Sequence, residues 1–114
     1  MRIVDRKTFL AMPAGVVFSK YAPCVFDLWC LKGDTLAGGG DFFYSELVGV
    51  WSETAVDSSA WMSELERMAA GESIKVAALV EMRDGCFDAG QLFAVLELAE
   101  LDFLRSRVSE AIPA

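Results

Sequence analysis

The stretch Ile74-Lys75-Val76-Ala77-Ala78-Leu79-Val80-Glu81-Met82, followed by Gln91-Leu92-Phe93-Ala94-Val95-Leu96-Glu97-Leu98, decides how the chain reads. The first run alternates, so Ile74, Val76, Ala78, Val80 and Met82 fall on one face of a strand. The second is apolar on both faces, as an interior strand would be. Between them, Arg83-Asp84-Gly85-Cys86-Phe87-Asp88-Ala89-Gly90 offers two glycines for positive φ and two aspartates that bond nearby backbone amides. The pattern predicts a hairpin with a connection longer than the favoured two residues.

Working outward, Arg2–Val4 reads as a short strand and Asp5 as the N-cap of a brief helix, 6–11, with Phe9 and Leu10 facing inward. Pro13-Ala14-Gly15 stops it. Val16–Tyr21 and Cys24–Leu31 read as strands, with Pro23 at an edge or bend and Lys32–Thr35 as a turn. Gly38-Gly39-Gly40 reads as a mobile loop, because it lacks the context of a phosphate-binding loop. In Asp41–Trp51 the aromatic and β-branched residues favour strand. A helix is predicted over Ser59–Ala70, capped by Ser58 or Ser59, with Trp61, Leu65 and Met68 inward and Glu64 and Glu66 on the wet side. Gly71 stands where a C-terminal glycine belongs. A last helix is predicted over Glu100–Ile112. The expected fold is a single α+β domain over 1–114, an antiparallel sheet of four to six strands with the two main helices packed on one face. Leu65, Leu92, Val95 and Leu104 are its expected core.

Composition narrows the chemistry. There is no histidine, which removes the commonest general base, the commonest metal ligand and any Ser-His or Cys-His pair. An enzyme is therefore not expected, and neither catalytic residues, a cofactor nor a metal is assigned; Asp84 and Asp88 lack the spaced oxygen ligands of a calcium loop. Cys24, Cys30 and Cys86 are odd in number and have no paired spacing, so buried free thiols and a cytoplasmic setting are expected. No apolar run is long enough for a membrane span, and the first residues lack a signal peptide's apolar stretch. The net charge is −7. It is +3 over 1–32 and −10 thereafter. Direct nucleic-acid binding is disfavoured, and an acidic surface aimed at a basic partner becomes one reading.

Several segments also resemble a known group. Arg2–Gly15 leading into Val17–Phe26, then Lys32-Gly33-Asp34-Thr35, Asp41-Phe42-Phe43-Tyr44 and Arg83–Asp88 running into Gln91–Val95, are similar to small acidic proteins encoded by bacteriophages and prophages. The resemblance implies a viral accessory origin and, with it, a non-enzymatic inhibitor of the anti-defence type in the host cytoplasm. Such a protein binds a host protein or nucleoprotein complex. Its partner-binding residues are expected to be Glu64, Glu66, Glu72, Asp84 and Asp88. The alternative is a protein that sequesters a small ligand or nucleotide signal through Lys20, Tyr21, Arg83 and Gln91. Asp84 and Asp88 also read as turn residues, and Arg83 as the ion-pair partner of one of them. Self-association would suit a sheet with this many aromatics.

Overall fold

A computed structural model describes residues 1–49, 51–77 and 79–114. Among them the chain forms β1 (Arg2–Asp5), α1 (Arg6–Leu10), β2 (Val17–Ala22), β3 (Val25–Thr35), β4 (Phe42–Glu46), α2 (Ser58–Ala69), β5 (Met82–Arg83), β6 (Leu92–Val95) and α3 (Leu98–Ala111). The six strands make one antiparallel sheet in the order β1-β6-β2-β3-β4-β5. The α+β class and the antiparallel sheet are as the sequence predicts.

The predicted hairpin does not form. β5 is only two residues long and pairs with β4 at one edge of the sheet. β6 lies near the other edge, between β1 and β2. The described residues from Ile74 to Glu81 have no regular structure, and Ala78 lies outside the described residues, as does Val50 in the segment after β4. Alternation alone cannot make a strand where no neighbouring strand offers hydrogen bonds. The interior character read from 91–98 is correct for Leu92–Val95, which has a strand on each side; Leu98 already belongs to α3.

The core sits on the inner face of this sheet. Asp5 accepts from the Thr8 amide at 2.8 Å and starts α1, which turns Phe9 onto the strands. Phe9 stacks on Phe93 at 4.1 Å and meets Phe18 and Phe42 edge-on at 4.7 and 5.0 Å. Val4, Cys30 and Val95 complete the cluster. Of the four expected core residues, only Val95 is buried; Leu92 and Leu104 are half-buried and Leu65 is 43% exposed. The reason is the place of the helices. Only α1 inserts a fully buried aromatic into the sheet, and α3 buries no residue.

β3 is longer than predicted and absorbs the expected Lys32–Thr35 turn. Lys32 is buried, and its Nζ donates to Met12 O at 3.0 Å, Gly33 O at 3.1 Å and Thr35 Oγ1 at 2.9 Å. Those acceptors explain how a lysine can occupy a core position of a strand. α2 is capped by Asp57, which accepts from Ala60 N at 2.8 Å, rather than by a serine. Gly71 ends it at φ +105°, as predicted. Only Cys30 of the three free thiols is buried; Cys24 and Cys86 are exposed in loops.

Candidate functional site

Strand order brings distant charges together at the mouth of the aromatic core. Arg6 follows the α1 cap and points inward. Its Nη1 lies 3.1 Å from Asp84 Oδ2, and its Nη2 donates to Gly40 O at 3.1 Å and lies 3.7 Å from Asp41 Oδ1. Lys20 Nζ approaches Asp84 Oδ1 at 2.6 Å. Arg83 Nε reaches Asp41 Oδ2 at 2.5 Å, and the Gly85 amide donates to Asp41 Oδ1 at 3.0 Å. The two carboxylates are almost sealed, with side chains 1% and 3% exposed.

Burial pushes both carboxyls upward in pKa, but their cations outweigh it. Lys20 and Arg6 leave Asp84 below its ordinary value, and Arg83 with nearby backbone amides does the same for Asp41. Burial pulls Lys20 down, and Asp84 more than reverses that. A buried carboxylate without partners costs several kcal/mol, so three cations around two aspartates form a lock that closes the 83–86 turn over α1. Ion pairs hold every member of the arrangement.

Two of the five expected partner-binding acids, Glu64 and Asp84, do not present their side chains to solvent. Glu64 is buried, not exposed, because α2 turns it toward the loop before the helix, where the Ser52 and Thr54 hydroxyls donate to its carboxylate. Those bonds lower its pKa. Beside them Trp51 and Trp61 stack at 5.5 Å. Asp84 is likewise interior, within the lock, and not a turn residue alone. Glu72 is engaged by Arg67, whose Nε donates at 2.8 Å. Asp88 is exposed and accepts from Gly90 N at 2.9 Å, the turn role read from sequence. Glu66 is exposed.

The alternative ligand residues are partly united. Lys20, Tyr21 and Gln91 line one open cleft of about 250 Å³ beside Phe26 and Asp27. Their polar groups are already engaged. Gln91 Nε2 donates to Tyr21 O at 3.2 Å and Leu92 O at 2.7 Å, while Tyr21 Oη accepts from Cys24 N at 3.0 Å. Arg83 stands apart on β5. Its partner is Asp41, neither Asp84 nor Asp88, and it lies 5.8 Å over the Phe87 ring.

Sequence reading missed the β3–β4 flank. Val25, Phe26, Leu28 and Leu31 on β3, with Leu47 and Val48 after β4, are exposed. Leu28 is 60% and Val48 76% accessible. The strands are held together here by Cys30↔Glu46 pairing and by the Leu47 amide donating to Trp29 O at 3.0 Å. A groove of about 600 Å³ runs past Leu28, Trp29, Leu47, Val48, Leu96 and Leu104, with Asp27 and Glu46 beside them. The available signal was Val25-Phe26-Asp27-Leu28-Trp29, which is apolar on both faces although only one face of β3 meets the core. Among the described residues no cluster of three or more Cys, Asp or Glu is placed to hold a metal ion, and no helix is long and apolar enough to cross a membrane. No family model, curated protein or solved structure matches the chain.

Proposed function

We propose that this chain is a non-enzymatic binding protein that grips a protein partner through the β3–β4 flank. The observation that carries this is the concentration of exposed Leu28, Leu47 and Val48 along one apolar groove bearing Asp27 and Glu46. Contiguous exposed apolar surface rimmed by charge is characteristic of interaction sites. A net charge of −7 favours a basic partner and speeds its approach. The lack of histidine and the mutual pairing of Lys20, Arg6, Arg83, Asp41 and Asp84 argue against acid–base catalysis. With the phage-like segments, the reading extends to a viral accessory inhibitor whose partner is a host protein or nucleoprotein complex in the cytoplasm. The contact lies on the flank rather than at Glu64, Glu66, Glu72, Asp84 and Asp88.

The test compares capture of a host protein by tagged chains in lysate. Wild-type chain should retain one protein in stoichiometric amount. Leu28→Ser with Val48→Asp should lose it, and Glu66→Lys with Glu72→Lys should retain it. Loss only in the α2 variant would return the contact to the acidic helix. A co-purifying nucleotide, lost on Lys20→Ala, would favour the sequestering alternative.

A further inference from the structure

Beneath the flank, on the inner face, lies a cavity of about 100 Å³ between β2, β3 and β4. Phe18, Phe42 and Tyr44 give it an aromatic side, and Cys30 is part of its lining. Lys20, Asp27 and Glu46 supply its charge. Lys20 is committed to Asp84, at 2.6 Å. Asp27 Oδ1 accepts from Leu28 N at 2.8 Å. Glu46 differs, because its Oε2 is shut off from solvent and has no hydrogen-bond partner among the described residues. A buried carboxylate oxygen without a donor is costly, and no described residue supplies one to Glu46 Oε2.

The surroundings select a cation. Burial together with Glu46 and Asp27 pushes the Cys30 thiol up to about 11, and burial followed by neighbouring Cys30 raises the Tyr44 hydroxyl. Glu46 and Asp27 therefore set a negative field in a desolvated cavity. Aromatic faces attract an ammonium, and the volume matches about three waters at liquid density, enough for an ammonium head on a short stem. We infer that the cavity binds an alkylammonium group held by the Glu46 carboxylate, supplied by a lysine side chain of the partner seated on the flank. Asp27, Leu28 and Glu46 line both the cavity and the groove, so a segment lying in the groove passes its entrance. The choice of lysine as the source rests on the flank reading; the ammonium chemistry does not.

The experiment titrates n-butylammonium chloride into the full nitrogen-labelled chain and follows backbone amides by NMR. Saturable shifts are expected at Cys30, Tyr44 and Glu46, with n-butanol giving none at equal concentration. Glu46→Gln should weaken binding about tenfold or more, since bonds to charged groups exceed neutral ones. Asp27→Asn, at an exposed position, should weaken it about two- to fivefold. If Glu46→Gln does not fold, Asp27→Asn and the butanol comparison decide. A Gly-Gly-Lys-Gly-Gly peptide moving the same amides assigns the source to a lysine side chain; amine binding with the peptide excluded overturns that source in favour of a free amine. Equal responses to amine and alcohol, or no saturation with the amine, overturn the inference and leave a cavity holding water. Failure of the flank reading would leave the amine titration unchanged, and failure of the cavity would leave the effect of Leu28→Ser with Val48→Asp on capture unchanged.

Discussion

The inner face at β6–β2 and the outer flank at β3–β4 are built from similar residues and meet opposite fates. On the inner face Phe9, Phe18, Phe42 and Phe93 are sealed, with Phe9 and Phe93 parallel within 4°. At the flank, residues as apolar as Leu28 and Val48 stand open. Hydropathy does not separate the two regions; a covering layer does. α1 is short but enters directly from β1, and its Phe9 fills the concavity. α3 is nearly three times as long and leaves Leu98, Phe103 and Val108 in solvent. A radius of gyration of 16.3 Å, above the roughly 13 Å of a tightly packed chain this size, reflects that. Apolar residues report a need for cover and do not say whether the same chain supplies it.

The sharpest way to break this contrast is truncation within the aromatic cluster. Phe9→Ala should cost about 3–5 kcal/mol by urea denaturation; a loss below about 1 kcal/mol would show that α1 does not seal the core. Next in size is the lock. Asp84→Ala removes the shared carboxylate of Lys20 and Arg6 and should cost about 3 kcal/mol, as removal of one partner of a buried pair does. Its pH dependence carries a sign. Asp84 and Asp41 have lowered values in the folded chain, so their contribution is complete above the unfolded carboxylate value near ~3.9 and is lost as pH falls through the folded values. Lys20 is raised, so its share is complete below about 10.4 and is lost as pH rises through its folded value. Asp84→Asn should flatten the acid limb of a stability–pH curve, and an unchanged limb would assign acid sensitivity elsewhere.

The outer region should respond far less. Leu65→Ala and Phe103→Ser should each change stability by no more than about 0.5 kcal/mol, as substitutions at exposed positions do. A loss above 2 kcal/mol for either would mean that its helix is packed after all. The smallest effect is chemical. In the folded chain Cys24 and Cys86 should react with a thiol reagent and Cys30 should not, with all three reacting in denaturant. Rapid reaction at Cys30 would show that the inner face opens on the labelling timescale.

Sequence made local structure readable wherever the signal was local. Asp5 as a cap, Phe9 inward, Gly71 at the end of α2 and β6 as an interior strand all follow from neighbouring residues. What was illegible depends on partners far along the chain. Ile74–Met82 alternates like a strand, yet only Met82 and Arg83 find a neighbour. Glu64 looks like a wet-side residue until Ser52 and Thr54 turn toward it. Asp84 reads as a turn aspartate because Arg6 and Lys20 are distant in sequence. Of Lys20, Tyr21, Arg83 and Gln91, three meet at one cleft because β2 and β6 are neighbours, whereas Arg83 joins a different pair through β5.

The insertion of β6 between β1 and β2 sets a timetable for biogenesis. Residues 2–5 are made well before 92–95, their only strand partner among the described residues. At about 5–20 residues per second, β1 waits on the ribosome for several seconds with both edges bare, while the β2–β3–β4 meander can already pair. Phe9 waits too, since Phe93, the ring on which it stacks, has not been made. Folding is then a late closure dominated by contacts spanning nearly the whole chain, the kind that slows folding and exposes strand edges meanwhile. A chain interrupted before Leu92 would keep its hairpins and lose its core, leaving a nascent product suited to aggregation or to a chaperone.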